Sequence, residues 1–429
     1  MQLSSAHTIM ISRKIRRQDQ GIIMELPFTL PDHVADLTVD LKPTWSPPYV
    51  VDFGVADPSR IRGWSGGARY NCHISRFQAT HGYLPGPLNK GIWSILLGLY
   101  RLPPESFDIE VTITWRQFCP QWVKGDLHVH TLHSDGSWTV DETLDRVAKA
   151  GLDFVALTDH NTSSQNLSAH KPSSLIIVPG MEWTTYHGHA NIFGVPDPLP
   201  DWRVANNDDF DEKLASVRAQ GSYVSINHPF DTSQPGISWE WGLDRKTWVE
   251  IWNGPWRPSN QAAVDWWQTQ LCKGRHLVAI SGSDTHGPST LVHHGQPTTW
   301  VWVPTPDTGS ILSAINDGHV FITQDSYGPE LSMHCGPYIV GDTVTESKNS
   351  TVEIQVQKVL PQDRIRLISQ RGVEMEAMID DSTWQLRYSI ADQMFIRVEI
   401  HRYRQDWEFW LPILISNPIY FTQETGDES

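Results

Sequence analysis

Three patterns of apolar and polar positions follow one another along the chain. Between residue 25 and about 120 the apolar residues fall in short runs, at 37–41, 49–53, 92–97 and 107–115, parted by turns such as Gly66-Gly67 and Pro85-Gly86-Pro87. Within the last run, Asp108-Ile109-Glu110-Val111-Thr112-Ile113-Thr114 alternates strictly, which sets one face against a core and the other in water. These features predict an all-β, sandwich-like segment, and its role reads as packing or shaping of a neighbouring site rather than chemistry.

From 125 to about 324 strands and helices take turns. Thr139 and Glu142 have capping-box spacing, Val140, Leu144, Val147 and Ala148 give one apolar face, and Gly151 supplies a stop. Strands are expected at 154–157, 175–178, 223–226, 248–251, 277–280 and 320–323, with further helices at 210–220, 260–272 and 310–317. This order predicts an α/β fold with a mainly parallel sheet and helical crossovers. A closed or nearly closed β/α barrel fits better than an open sheet, because polar clusters follow so many different strand ends. After about 330 the pattern returns to strands, at 351–359, 364–368, 386–390 and 395–402, and predicts a small antiparallel sheet. The expected organisation is therefore a β-sandwich-like domain at 1–121, a barrel domain at 122–328, a β-rich domain packed on the barrel at 329–423, and a frayed acidic tail at 424–429.

The chain has 429 residues and a formal charge of -16, which disfavours double-stranded nucleic acid and anionic membranes as partners while leaving a small anionic substrate open. The order of Ile9-Met10-Ile11 and the basic Arg13, Lys14, Arg16 and Arg17 is the reverse of a secretory signal, and no apolar run approaches bilayer length. A soluble cytoplasmic protein is the expectation. Cys72, Cys119, Cys272 and Cys335 lie far apart, without zinc-type spacing or a disulfide framework. The oligomeric state is not legible.

The chemistry lies in the polar clusters that follow the apolar runs. They are His128-Val129-His130 with Asp135, Asp159-His160, Glu182 with His189, His228 before Pro229, and Asp284-Thr285-His286. On an extended segment residues i and i+2 point the same way, so His128 and His130 can converge on one ion. One such pair means little. A histidine after each of several strands, together with carboxylates, is hard to explain by packing, because buried imidazoles and acids need a partner. Setting Asp159 aside as an anchor for its loop, nine candidate metal-binding residues remain: His128, His130, Asp135, His160, Glu182, His189, His228, Asp284 and His286. Carboxylate and imidazole donors suit Zn, Mn or Fe, and no cysteine belongs to the set. Glu182 is the best bridge between two ions, and a water or hydroxide shared by those ions would be the nucleophile of a hydrolase.

These clusters resemble the PHP (polymerase and histidinol phosphatase) superfamily, particularly its CehA/McbA-like metallohydrolase branch. The carrying motifs are Gly125-Asp126-Leu127-His128-Val129-His130-Thr131, Ser134-Asp135-Gly136, Leu157-Thr158-Asp159-His160-Asn161, Pro179-Gly180-Met181-Glu182-Trp183-Thr184, Gly188-His189-Ala190-Asn191, Asn227-His228-Pro229 and Ser283-Asp284-Thr285-His286. The resemblance spans roughly residues 122 to 325. It implies a distorted seven-stranded β/α (PHP-type) barrel, flanked here by the β-rich segments, and two or three divalent metal ions. It further implies that His128, His130, Glu182 and Asp284 hold one ion, that Glu182, His189 and His228 hold a second, and that Asp135, His160 and His286 hold a third.

The leading functional expectation is a phosphoesterase acting on a small phosphorylated molecule through a metal-bridged hydroxide, with Glu182, Asp284, His189 and His228 as the catalytic set. Arg257 is a candidate partner for a substrate phosphate, Arg203 a weaker one, and His133 and His187 are candidate substrate contacts or loop residues. The chain carries 20 tryptophans, and of those near the clusters (Trp138, Trp183, Trp252 and Trp256) one or two are expected to line an aromatic pocket, Trp183 among them. The alternatives are a hydrolase of carboxylic ester, carbamate or amide bonds, and a non-catalytic, metal-containing carbohydrate- or peptide-binding protein.

Overall fold

The computed structural model describes residues 2–168, 175–242, 248–345 and 350–422. The tail expected at 424–429 lies outside the described residues. The chain divides into two compact units, Met1–Gln121 and Trp122–Ser429.

The first unit is a β-sandwich. Its strands are β1 (His7–Ile15), β2 (Ile23–Leu30), β3 (Val34–Lys42), β4 (Val50–Ala56), β5 (Ile61–Gly66), β6 (Asn71–Ser75), β7 (Gly91–Arg101) and β8 (Phe107–Gln117). They form two four-stranded antiparallel sheets, ordered β1-β8-β3-β6 and β2-β7-β4-β5. The alternation read at 108–114 holds: Ile109, Val111 and Ile113 are buried while Asp108 and Glu110 face water. Leu37, Val39 and Ile113 from one sheet meet Phe53, Trp93 and Leu97 from the other in a single core.

The second unit holds the polar clusters. It opens with β9 (Gln121–Asp126), α1 (Val140–Lys149), β10 (Phe154–Leu157), α2 (Ser164–Leu167), β11 (Ile176–Thr185), β12 (Gly188–Phe193) and α3 (Asn207–Ala219). β13 (Tyr223–Ile226), β14 (Trp248–Asn253), α4 (Pro258–Cys272), β15 (Ala279–Gly282), β16 (Thr298–Val303), α5 (Thr308–Asn316) and β17 (Val320–Thr323) follow. The helix read from the capping box is α1: Thr139 and Glu142 cap each other reciprocally, and Val140, Leu144 and Val147 are buried.

The strands β15-β14-β13-β12-β11-β10-β9 lie side by side in a large mixed sheet. The two ends of this run meet: the segment after β9 bridges the segment after β15 at Val129 and Thr285, with His130 N–H donating to Thr285 O and Asp284 N–H to His128 O. Seven strands thus curl into a barrel-like ring. β9/β10, β10/β11, β13/β14 and β14/β15 pair in parallel, as the alternation predicts, but β12 runs antiparallel to both of its neighbours. The cause is a two-residue hairpin at Tyr186-His187, whose residues lack the Asn-Gly or Asp-Gly signal of such turns.

The chain after residue 329 does more than form a small sheet. β18 (Glu330–Cys335), β19 (Tyr338–Ile339), β20 (Thr343–Val344), β21 (Thr351–Gln357), β22 (Arg364–Ser369), β23 (Gly372–Met378), β24 (Thr383–Ser389), β25 (Phe395–Arg404), β26 (Phe409–Ser416) and β27 (Ile419–Phe421) make it up. β19-β18-β21-β24 is the expected antiparallel sheet, whereas β26, β25, β22 and β23 extend the large sheet from the edge that β17 offers. Among the described residues no helix is long and apolar enough to cross a membrane, and the four cysteines are unpaired.

A buried ion cluster ties this extension to α4. Residues 397, 399 and 401 share one face of β25, and Glu399 takes Arg397 at 2.6 Å and His401 at 2.8 Å. The guanidinium of Arg397 also donates to Gln268 of α4 and lies over Trp267. Burial would raise the Glu399 carboxyl, but the Arg397 guanidinium and the hydrogen bond from His401 hold it at about 2. A depressed folded-state value contributes stability above the ordinary 4.5, and that contribution is lost as the pH falls toward about 2. Glu399→Gln should therefore cost about 3 kcal/mol at neutral pH. Its deficit against the native chain should close through the acid limb of a denaturation series, and a deficit that stays constant into strong acid contradicts the account.

Candidate metal centre

The ring gathers the clusters at one end. The extension of β9 alternates: Leu127 and Val129 enter the core, and His128 and His130, both fully buried, point the other way. His160 follows β10, Glu182 lies within β11, His189 opens β12, His228 follows β13, and Asp284 and His286 follow β15. His228 and Asp284 hold positive φ angles of 28° and 56°, a left-handed backbone that costs a non-glycine residue about 1 kcal/mol or more. Such strain persists only where the surroundings over-determine it. Gly282 provides room for the approach, since a β-carbon there would lie 2.2 Å from the Cβ of His128 and 2.8 Å from Glu250 Oε1.

Glu182 is the hub. Its Oε1 faces His128 Nε2 at 3.2 Å, His189 Nδ1 at 3.3 Å and His228 Nε2 at 3.4 Å. Its Oε2 faces His160 Nδ1 at 2.8 Å and His130 Nε2 at 3.5 Å. Asp284 Oδ1 lies 3.3 Å from His128 Nε2 and 3.1 Å from His130 Nε2, and Asp135 Oδ1 lies 3.4 Å from His286 Nε2 and 3.7 Å from His160 Nε2. Four overlapping groups emerge whose donor atoms lie within 4.8 Å of one another: His130-Asp135-His160-His286, His128-His130-Asp284, His128-Glu182-His228 and His160-Glu182-His189. All nine residues singled out from the sequence fall in these groups.

The donor atoms fit divalent ions better than they fit each other. Nε2 of His128, both nitrogens of His130, Oε2 of Glu182 and Nδ1 of His189 are buried and have no hydrogen-bond partner among the described residues. They approach one another without hydrogen-bond alignment, as donors aimed at a shared centre do. The outward nitrogens, by contrast, are held. His128 Nδ1 meets Glu250 Oε1 at 3.0 Å and His286 Nδ1 meets Asp284 O at 2.9 Å, whereas His160 Nδ1, which faces Glu182 Oε2, also meets Thr184 Oγ1 at 2.6 Å. A carboxylate or carbonyl on one imidazole nitrogen fixes the N–H there and leaves the other nitrogen's lone pair for an ion.

Carboxylates and imidazoles shift one another within the cluster. Burial opposes ionisation of Glu182 and Asp284, but imidazoles outweigh it and hold both well below the usual carboxylate range: His128, His160 and His189 for Glu182, His128 and His130 for Asp284. Burial likewise opposes protonation of His128, yet Asp284, Glu182 and Glu250 raise it well above the ordinary value. For His130 burial prevails and the shift is downward.

A cavity of about 440 Å³ opens onto the cluster, and Asp135, His160, Glu182, Asp284, Asp231 and Arg257 are among its walls. Arg257 sits at the N-terminus of α4, with Nη1 3.1 Å from Asp231 and Nη2 2.6 Å from Asn253 Oδ1, while its Nε has no partner among the described residues. The other candidate substrate contacts are not brought to this cavity. Trp183 is buried, stacked on Phe210, with its indole N–H donated to Trp202 O. Arg203 pairs with Asp201 in solvent, His187 with exposed Glu240, and His133 with Ser164 and Ser168. Trp252 and Trp256 pack edge-on against each other, and Trp138 lines a different cavity. Asp159 does anchor its loop, accepting from Thr131 N and Oγ1 and from Ser134 Oγ.

Four residues that carry the site were not singled out from the sequence. Glu250 in β14 accepts from the His228 N–H at 2.9 Å and from Asn253 Nδ2 at 3.1 Å besides holding His128. Asn227 donates to Glu182 Oε1 at 2.9 Å. Buried Asp126 takes the N–H groups of Ser283 and Gly295, and Asp231 faces Arg257. For Glu250 and Asp126 the signal was present: each is an acid inside a segment that otherwise reads as a buried strand.

No family model matches this sequence, and no curated protein is similar to it. Among solved structures, the chain is similar to a two-domain protein from Bacteroides vulgatus containing a predicted PHP-like metal-dependent phosphoesterase, at 16% identity and a TM-score of 0.41, over 69% of this chain and 95% of that one. It is also similar to a proposed metal-dependent phosphoesterase from Bifidobacterium adolescentis (15% identity, TM-score 0.28, 40% and 90% covered). An amidohydrolase from Chromobacterium violaceum gives 15% identity, a TM-score of 0.25, and 39% and 89% covered. Scores this low place no constraint on the chemistry of this chain.

Proposed function

We propose that this chain is a polynuclear metal-dependent hydrolase of the PHP superfamily, CehA/McbA-like branch, built on a distorted seven-stranded β/α barrel, and that it acts on a small phosphorylated molecule. One observation carries the reading: a buried carboxylate, Glu182, turns one oxygen toward His128, His189 and His228 and the other toward His130 and His160. A carboxylate with both oxygens surrounded by imidazoles suits a bridge between ions.

His128, His130, Glu182 and Asp284 would hold one ion, Glu182, His189 and His228 a second, and Asp135, His160 and His286 a third. Bound divalent metal of the Zn, Mn or Fe type supplies Lewis-acid activation of water and of the phosphoryl group. The chain's own residues do the rest. Glu250 and Asn227 fix the orientation of His128 and Glu182. Arg257, restrained by Asp231 and Asn253, would be the cationic contact for a phosphate. The segment 122–328 carries this chemistry, with the β-rich segments 1–121 and 329–423 as accessories.

Metal analysis and a parallel substrate screen test the reading. The purified chain should hold two or three metal equivalents and release phosphate from aryl phosphates, and Arg257→Ala should lower kcat/KM for them by about a hundredfold. Turnover confined to aryl esters, carbamates or amides transfers the assignment to acyl hydrolysis. Full metal with no turnover of any member makes the chain a binding protein.

A further inference from the structure

A second cavity, of about 460 Å³, lies on the other side of the wall that carries Asp284 and His286. The two cavities share the segment 284–286: Asp284 and His286 line the metal cavity, and Thr285, between them, lines the second. Its composition departs from the rest of the molecule. The chain has 49 acidic residues against 33 basic ones, yet no acidic residue is among the walls of this cavity, which include Arg146, Lys149, His293 and His294.

The site is built rather than incidental. His294 is buried, at 8% exposure, and neither of its ring nitrogens has a hydrogen-bond partner among the described residues. An imidazole sealed in this way with both polar atoms unmet carries a desolvation cost that a bound ligand removes. Burial, reinforced by the neighbouring Arg146 and His293, lowers its proton affinity to about 4, so that at neutral pH it offers one N–H and one lone pair. Trp138 holds the basic groups in place: the Arg146 guanidinium lies 4.0 Å from its ring centre, and the His294 ring stands 5.4 Å away on a tilted plane. No carboxylate among the described residues is paired with Arg146 or Lys149, which leaves both cations for a ligand. Trp138, Tyr327, Pro288 and Val292 supply apolar wall for a flat body beside the charge.

We infer that this cavity is a binding site for a small organic anion, a carboxylate or phosphate group attached to a flat apolar body, held by Arg146, Lys149 and the His294 imidazole against Trp138. It is separate from the metal cavity and does not depend on what the metals do.

Equilibrium dialysis of labelled benzoate and of labelled inorganic phosphate against the metal-loaded chain tests the inference. At least one probe should bind with one equivalent per chain at this site, and the probe that binds more tightly identifies the carboxylate or the phosphate as the preferred group. The double variant R146Q/K149Q changes two solvent-exposed side chains and should fold. It should weaken that equivalent at least tenfold while metal content stays unchanged. H294F should weaken it similarly in protein with an unaltered melting temperature. Metal content as a separate readout keeps failure here distinct from failure of the metal centre. Absence of both probes, or binding that R146Q/K149Q leaves undiminished, overturns the inference.

Discussion

Replacing Glu182 by glutamine is expected to lower hydrolytic turnover by about a thousandfold or more and to remove at least one equivalent of bound metal. The substitution preserves volume, so packing does not explain the loss. What changes is the donor chemistry. A carboxylate offers lone pairs from both oxygens, and in this chain five imidazole nitrogens lie within 3.5 Å of them. An amide leaves one oxygen and turns an NH₂ group toward nitrogens or ions that need a lone pair. It also removes the charge that opposes the surrounding histidines, and breaking one side of a buried charge cluster costs roughly 3–5 kcal/mol. Metal analysis by mass spectrometry with steady-state turnover of an aryl phosphate reads both effects, and circular dichroism checks that the chain is folded. Native turnover and native metal content in Glu182→Gln would end the bridging assignment.

Gly282→Ala should be nearly as damaging, although the residue is no metal donor. The added methyl would sit 2.2 Å from the Cβ of His128, 2.8 Å from Glu250 Oε1 and 3.0 Å from the His128 backbone nitrogen. No real Cβ tolerates such distances, and two of the three neighbours belong to a segment pinned to 284–285 by backbone hydrogen bonds. Overpacking of this kind costs typically about 1–3 kcal/mol where the surroundings can shift, and more where they cannot. The expected result is a lower melting temperature together with reduced metal content, because β15 and the His128 segment must part. Gly136→Ala supplies a companion measurement: its methyl would meet the His130 carbonyl carbon and oxygen at 2.7 Å. If both alanine variants keep native metal content and melting temperature, the close approach of these segments is not what positions the histidines.

Much of the architecture was legible before any coordinates. The 108–114 alternation specified a strand with one wet face, and the Thr139/Glu142 box specified the start of α1. The apolar run at 154–157 coincides with β10, and that at 223–226 with β13. What escaped has identifiable causes. β12 escaped because its hairpin turns on Tyr186-His187 rather than on a glycine-containing pair. The shared sheet of barrel and C-terminal segment escaped because an edge such as β17 does not announce its partner, β26, roughly a hundred positions away. The aromatic wall expected from Trp183 proved to be core, since a tryptophan beside a polar cluster in sequence can face either side of its strand.

The sequence by itself determined the inventory: which side chains can donate to a metal, the strand ends they follow, and an acidic chain with β-rich flanks. Local periodicity and donor chemistry are properties of neighbouring residues, so they survive without a fold. Convergence is not such a property. That Glu182 divides its oxygens between two sets of imidazoles, that Glu250 steadies His128 from another strand, and that Arg146, Lys149 and His294 enclose a cavity behind Thr285 all depend on ring closure between segments more than a hundred residues apart. Only the tertiary structure decides those distances, because they are set by how the sheet curls and not by any spacing along the chain.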